Sequence, residues 1–351
     1  MPSGRTDTSR AFRWRNDAHG VYQGRAGSLD VVVHAGLQHA LVAHQDAVLE
    51  KAVHGALGDL RDLVRVVEVG VKDDFLVQRS APRHHANQAR KPRVVAQDLL
   101  GHRVLANVGF GGFATEAVVR ADRVISIPDT LSTGQAASFL QSYLTGWFAL
   151  TRRAHISSES IAGKEQWMLV LGAGSGVGLA AVDIGTALGL RVIAAASSQE
   201  KRDLALARGA SAVIDSSSED VKERAKEISG GGVDVLYDPV GGSLGETCLR
   251  ALGEDGQYLV IGFVGGIPQL PANQVLLRNR RVIGVDWGAW AGRHPQENAQ
   301  LLEEVLAKIA TNHLCPVEPQ VYSLSEAAVA LKDLEERRVA GKVVLVVDEA
   351  K

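Results

Sequence analysis

The 351-residue sequence has few cysteines, no excess charge of either sign and no apolar run long enough to span a bilayer. Its two cysteines, Cys248 and Cys315, cannot form a disulfide framework or a four-cysteine zinc lobe. A reducing compartment suits such a chain, so we expect a cytoplasmic protein. The 38 Lys and Arg residues nearly balance the 40 Asp and Glu residues, which gives no electrostatic basis for binding nucleic acid or a membrane surface. The length allows two domains.

Proline is also scarce, since none lies between Pro2 and Pro82, whereas eight of the 11 histidines fall within residues 1–102. Proline is common in turns, so its scarcity in this segment disfavours a fold that needs many tight turns, such as a small β-barrel. Three interpretations of residues 1–100 remain open. The segment is a divergent domain, a His-rich metal domain whose histidines lack ligand spacing, or a stretch translated in the wrong frame. We expect irregular packing there and regular packing across residues 140–285.

A dense run of glycines follows the apolar residues 167–171 and precedes a helix of small residues. Strand, glycine turn and helix in this order is how α/β proteins hold a dinucleotide pyrophosphate. The literal G-x-G-x-x-G spacing is not met, so a tight turn without a ligand remains the alternative. The candidate phosphate-binding residues are Gly172, Ala173, Gly174, Ser175, Gly176, Val177 and Gly178.

The second predicted strand, residues 190–196, ends at Ser197 and Ser198 rather than at an acidic residue, and Lys201 and Arg202 follow. A carboxylate at this place binds the ribose 2′-hydroxyl in NAD-specific sites. Small hydroxyls and cations instead tolerate and pair with a 2′-phosphate, which favours NADPH. The alternative is an ordinary solvated helix start.

Further apolar strands at 233–238, 257–262 and 281–285 alternate with helical patterns. This alternation predicts an α/β fold with a parallel, doubly wound sheet. Downstream, we expect a helix at 298–311, a strand at 316–321, a helix at 324–337 capped by Ser325, and a strand at 341–347.

Seven sequence blocks, in order, resemble the zinc-free quinone oxidoreductase (zeta-crystallin-like) branch of the medium-chain dehydrogenases/reductases. The resemblance covers roughly residues 101–349. The blocks are Tyr143-Leu-Thr-Gly-Trp-Phe-Ala-Leu150, residues 171–181, residues 192–201, Tyr237-Asp-Pro-Val-Gly-Gly242, residues 271–279, residues 284–290 and Gly341-Lys-Val-Val-Leu345.

This resemblance implies a Rossmann domain at 136–290, the last part of a GroES-like β-barrel at 101–135 and a return to the barrel at 291–351. It also implies a homodimeric, zinc-independent enzyme that transfers a hydride from NADPH to a quinone or another electron-poor acceptor. Residues 1–100 do not match the family. Two alternatives stay open: an enoyl or acryloyl thioester reductase, and a protein that binds NADPH without turnover.

By resemblance, further residues surround the cofactor. Ile214-Asp215-Ser216 stands where some family members have a tyrosine that helps hold the 2′-phosphate. No proton donor is assigned, and Tyr143 is expected to pack rather than act as an acid. No metal site is predicted. The implied cofactor contacts beyond the glycine turn are Ser197, Ser198 and Lys201 for NADPH, Val240, Gly241, Phe263 and Trp287 beside the nicotinamide, Thr145 near its carboxamide, and Lys342 near the phosphates.

Overall fold

A computed structural model describes residues 103–106, 112–113, 124–157 and 165–347, and the backbone of three strands within the first 34 residues. These strands, β1 (Arg15–Asn16), β2 (Val21–Ala26) and β3 (Leu29–His34), form an antiparallel sheet. Our three interpretations of residues 1–100 otherwise fall outside the described residues and stay open. A second antiparallel pair joins β4 (Val104–Ala106) to β5 (Val124–Ser126).

Six parallel strands form the central sheet, as the alternation of strands and helices predicts. They are β6 (Trp167–Val170), β7 (Arg191–Ala196), β8 (Ala212–Asp215), β9 (Val233–Asp238), β10 (Leu252–Val260) and β11 (Arg281–Gly284). Their spatial order is β11-β10-β9-β6-β7-β8. The strand order reverses between β6 and β9, and open α/β sheets bind ligands outside the carboxyl ends of the strands at such a point.

Helices cover both faces of this sheet. They are α1 (Thr133–Trp147), α2 (Gly176–Ala187), α3 (Gln199–Ala207), α4 (Val221–Ile228), α5 (Gly242–Cys248), α6 (Ala272–Leu276), α7 (Trp287–Arg293), α8 (Pro295–Ala310) and α9 (Ala327–Glu335). β12 (Gln320–Ser323) and β13 (Val343–Val346) pair in parallel outside the sheet. None of the described helices is both long and apolar enough to cross a bilayer.

The core around the central sheet divides into two layers because side chains alternate across each strand. In β6, Met168 and Val170 belong to the cluster that includes α1, α2 and α8, whereas Leu169 belongs to the cluster on the opposite face. All four residues of β6 are buried, which explains why this strand has a continuous apolar sequence.

Some element boundaries differ from the sequence-based expectations. Ser323, not Ser325, begins the helical segment near residue 324, because Ser323 and Glu326 form a reciprocal capping box. The strand expected at 316–321 lies at Gln320–Ser323 instead. Pro316 and Pro319 fall in the expected range, and neither has a backbone N–H for a sheet ladder. β10 begins at Leu252 rather than at residue 257, with an irregularity in its pairing to β9.

Candidate functional site

The glycine turn joins β6 to α2 at the carboxyl edge of the sheet. Gly172 has φ +58°, a left-handed conformation that glycine adopts without the steric cost of a Cβ. The amide of Ala173 donates to the carbonyl of Ala195 on β7 at 3.0 Å. The hydroxyl of Ser175 caps α2 by accepting from the amide of Gly178 at 3.1 Å. The amides of the first helical turn lack acceptors within the helix, so the turn presents donors at a positive helix end.

Gly178 is the point at which α2 packs most tightly against this turn. A Cβ at Gly178 would overlap the carbonyl oxygen of Gly172 and lie 2.7 Å from the Cα of Ala173. Both obstacles are backbone, which does not move aside like a flexible side chain. A side chain at this position would therefore distort the turn itself.

A segment distant in sequence, at Gly341 and Lys342, also contacts the glycine turn. The amide of Gly341 donates to the carbonyl of Gly174 at 2.9 Å, and Ser175 forms an isolated parallel bridge with Gly341. The next residue, Lys342, is only 6% exposed. A Cβ at Gly176 would lie 2.6 Å from Cδ of Lys342, so the glycine makes room for that side chain.

Lys201 reaches the same turn from α3. A Cβ at Gly174 would lie 2.5 Å from Cβ of Lys201. The Lys201 ammonium donates to the carbonyl of Arg337 at 3.0 Å. Burial lowers the pKa of Lys201, and the nearby charge of Arg337 lowers it further. Sequence reasoning did not find Arg337, because only the tertiary fold brings it to Lys201.

The residues after β7 differ in their surroundings. Ser197 is exposed, whereas Ser198 caps α3 and accepts from the amide of Lys201 at 3.4 Å. Arg202, which the sequence offered as a second phosphate partner, is ion-paired with Asp215 at 3.1 Å. Its guanidinium also donates to the carbonyl of Ala196 at 3.2 Å. Lys201 and Arg202 therefore have different partners, although they are adjacent in sequence.

Asp238 organises the turn that follows β9. One oxygen of its carboxylate accepts from the amides of Val240 and Gly241, each at 2.8 Å. The other oxygen accepts from the hydroxyl of Tyr258. Asp238 is 1% exposed, and burial raises the pKa of its carboxyl despite these hydrogen bonds. The sequence included Asp238 in a matching block but gave it no role.

A second loop, residues 262–266, is joined to this turn by backbone hydrogen bonds. The amide of Gly265 donates to the carbonyl of Val240, and the amide of Gly242 donates to the carbonyl of Gly266, both at 2.7 Å. Phe263 remains 49% exposed. The two loops follow β9 and β10, so Val240, Gly241 and Phe263 come together at the carboxyl edge of the sheet.

The other implied contacts lie on helices. Trp287 packs against the core, and its indole N–H donates to the Asn298 side chain at 2.9 Å. Thr145 is partly buried on α1. Tyr143 is buried in the core, where its hydroxyl donates to Asp183 at 2.6 Å. Burial, followed by the charge of Asp183, raises the pKa of Tyr143 well above its ordinary value. The burial of Tyr143 and its hydrogen bond to Asp183 therefore suit a packing residue.

The described residues suit an anionic dinucleotide. The side chains of Lys201 and Lys342 pack against Gly174 and Gly176 of the glycine turn, which places two cations beside a helix N-terminus. Within the described part of the chain, no group of three or more His, Cys, Asp or Glu side chains could hold a metal ion.

Comparisons with known proteins agree with this geometry. A family model described as zinc-binding dehydrogenase matches residues 176–307. The quinone oxidoreductase-like protein 2 of Bos taurus is 34% identical over 248 residues, which cover 70% of this chain and 69% of that protein.

Two solved structures show the same architecture. The quinone oxidoreductase of Thermus thermophilus, whose structure is also known in complex with NADPH, is 32% identical with a TM-score of 0.60. The superposition covers 70% of this chain and 77% of that one. The CurK enoyl reductase, at 24% identity and a TM-score of 0.62 over 71% of this chain and 73% of that one, shares the fold. The chain belongs to the quinone oxidoreductase-like family of the medium-chain dehydrogenase/reductase superfamily.

Proposed function

We propose that this protein is an NADPH-dependent, zinc-independent oxidoreductase that transfers a hydride to a quinone or a similar electron-poor acceptor. One observation carries the proposal: a glycine turn at the switch point of the sheet has two lysines, Lys201 and Lys342, lying across it. Backbone amides, a helix N-terminus and these cations are the groups that bind a phosphorylated dinucleotide.

The residues that would hold NADPH fall into three groups. The glycine turn and Lys342 would bind the pyrophosphate, the end of β7 would bind the adenosine side, and the loops after β9 and β10 would line the nicotinamide side. We add Arg337 to the second group because its carbonyl accepts from the Lys201 ammonium at 3.0 Å, which places this residue beside Lys201. The proposed set is Thr145, Gly172, Ala173, Gly174, Ser175, Gly176, Val177, Gly178, Ser197, Ser198, Lys201, Val240, Gly241, Phe263, Trp287, Arg337 and Lys342.

Bound NADPH would supply the hydride. The role of the protein itself is to position the nicotinamide ring. Asp238 fixes the Val240–Gly241 backbone through two amide hydrogen bonds, and the 262–266 loop holds that backbone from the other side. A fixed wall of this kind orients a flat ring for hydride transfer.

The direct test is NADPH oxidation, followed at 340 nm, with a panel of benzoquinones and naphthoquinones. We expect turnover with NADPH and much weaker turnover with NADH. Tight NADPH binding without oxidation by any quinone, enone or enoyl thioester would instead identify a binding protein that has lost turnover.

An enoyl or acryloyl thioester reductase is the second candidate, because the CurK enoyl reductase has the same fold and the fold alone does not select the acceptor. Both candidates use the same cofactor groups and differ in the acceptor. A direct comparison of kcat/KM between a quinone and a crotonyl thioester separates them. A thioester value at least tenfold above the best quinone would replace the proposed acceptor.

Zinc independence is supported by the cysteines. Cys248 is fully buried, and neither it nor the exposed Cys315 belongs to a group of three or more His, Cys, Asp or Glu side chains that could hold a metal ion among the described residues. We expect turnover to survive exhaustive dialysis against a chelator. Loss of turnover that returns on adding zinc would contradict this.

We also propose that the protein is a homodimer. Among the described strands, β11 pairs only with β10, and this sheet edge carries exposed apolar side chains, including Val282 at 41% exposure. A second copy of the chain would bury this edge and its unpaired backbone groups. Sedimentation equilibrium should give a dimer, and Val282→Lys should shift it toward a monomer.

Cytoplasmic localisation stays a prediction.

A further inference from the structure

A carboxylate lies beside the place that distinguishes the two nicotinamide cofactors. Asp215 ends β8, and its Cα is the register partner of Ala196, which ends β7. The amide of Ser216 donates to the carbonyl of Ala196 at 3.2 Å, so the two strand ends are tied together. In NAD-specific sites, an acidic group at the end of the strand that corresponds to β7 binds the ribose 2′-hydroxyl. Such a group also repels a 2′-phosphate, so it selects NADH.

Asp215 is ionised at neutral pH. Its carboxylate accepts from the amide of Ser217 at 2.9 Å and from the hydroxyl of the same residue. These bonds, followed by the charge of Arg202, lower the pKa of Asp215. The structure therefore places a persistent negative charge one strand away from Ser197 and Ser198.

Arg202 is held against that charge. Its guanidinium contacts Asp215 Oδ1 at 3.1 Å, the carbonyl of Ala196 at 3.2 Å and the side chain of Gln199 at 3.0 Å. Its side chain is 13% exposed and that of Asp215 is 26% exposed. Three polar partners fix one arginine at the junction of the two strand ends, where its charge cancels that of Asp215.

We infer that Arg202 contributes to the preference for NADPH by masking the carboxylate of Asp215, a role distinct from that of Lys201. Lys201 adds a cation to the site, whereas Arg202 removes the effect of an anion. Without Arg202, Asp215 would repel a 2′-phosphate and offer an acceptor to a 2′-hydroxyl. This inference rests on the proposed binding of NADPH and names the residue pair that tunes it.

A double-mutant cycle tests the inference, with the ratio of the NADH Kd to the NADPH Kd as the readout at fixed ionic strength. Arg202→Gln should lower this ratio about tenfold, which corresponds to about 1.4 kcal/mol. Asp215→Asn should leave the ratio equal or raise it. The double variant should match Asp215→Asn within about threefold, because an arginine with no anion to mask has nothing to contribute.

Arg191→Gln is the matched control. Arg191 begins β7 at the end of the strand opposite Ala196, and it too is ion-paired, with Glu165. We expect this variant to keep the ratio of the unmodified protein.

Two results would overturn the inference. In one, Arg202→Gln leaves the ratio unchanged. In the other, the double variant has a ratio as low as Arg202→Gln, which would mean that Arg202 contacts the phosphate itself. If Arg202→Gln does not fold, the comparison of the double variant with Asp215→Asn decides alone. The ratio of the two Kd values in the unmodified protein tests whether NADPH is the preferred cofactor. The change in that ratio on substitution of Arg202 tests the masking of Asp215. Failure of the proposed function and failure of this inference are therefore distinguishable.

Discussion

The hydroxyl of Tyr258 donates to one oxygen of the Asp238 carboxylate, which leaves the other oxygen to accept from the amides of Val240 and Gly241. A buried tyrosine thus orients the carboxylate that shapes a loop at the candidate site.

Asp238→Ala should therefore raise the KM for NADPH about tenfold. A typical hydrogen bond contributes about 0.5–1.5 kcal/mol net, and the substitution removes both bonds that fix the Val240–Gly241 backbone. Asp238→Asn is the conservative control. Its amide oxygen can accept from both backbone amides while its NH2 donates to Tyr258. Steady-state kinetics should show near-normal KM for Asn, and an unchanged KM for a folded Ala variant would contradict the role.

Asp183 leads to a prediction about pH. Burial raises the pKa of its carboxyl above the ordinary 3.8, so the protonated form is favoured in the folded protein. A group whose pKa is higher in the folded protein than in the unfolded chain stabilises the fold at pH values below its unfolded pKa. This stabilisation is lost as the pH rises through its folded pKa. Above that window the buried charge costs stability.

Asp183→Asn removes this charge and keeps an oxygen for the same two donors, the Tyr143 hydroxyl at 2.6 Å and the Cys315 amide at 2.7 Å. We expect the free energy of unfolding of the variant, relative to the unmodified protein, to increase as the pH rises from 3 to 7. Urea unfolding across this range measures it. A relative stability that falls with rising pH would show that the charge is stabilising.

Lys201→Ala should erase most of the preference for NADPH, which we expect to be at least tenfold, or about 1.4 kcal/mol, in the unmodified protein. The NADH Kd should hardly change, because NADH has no 2′-phosphate for the ammonium to pair with. Lys332→Ala, which removes a lysine of α9 with a 67% exposed side chain, is the control. Equal affinities for the two cofactors in the unmodified protein would refute the prediction.

Gly178→Val should abolish NADPH binding and leave the protein folded by circular dichroism. The added side chain must push the Gly172 carbonyl out of the turn, an overpacking cost of about 1–3 kcal/mol. Gly288→Ala is a suitable control, since its Cβ would meet nothing closer than 4.0 Å. Retained NADPH affinity in Gly178→Val would mean that the turn serves only the fold.

The sheet could be predicted because each central strand is a short apolar run between glycines or helical patterns. Trp167–Val170 and Val233–Asp238 lie within the expected ranges. The glycine turn was visible for the same local reason. The contact between Lys201 and Arg337 was not, because it joins segments far apart in sequence, and no local pattern encodes such a pairing.

The ion pair between Arg202 and Asp215 could not be predicted from the sequence either. Arg202 follows Lys201 directly, so sequence alone gave both residues the same role. Their roles separate only when β7 and β8 lie side by side and bring Asp215 to Arg202. Asp238 was missed because a buried carboxylate that bonds only to backbone amides and a tyrosine resembles any other acidic residue in a motif.

The hydrogen bond from Gly341 to Gly174 has a consequence for how the protein is made. All six strands of the sheet have left the ribosome once Gly284 has emerged, so the sheet can assemble while synthesis continues. Gly341 and Lys342 follow the last strand of the sheet in the sequence, so the glycine turn lacks them while the sheet assembles. A nascent chain stalled before Gly341 should therefore carry a folded sheet that binds NADPH poorly, and affinity for the cofactor should appear only once Gly341 and Lys342 have emerged.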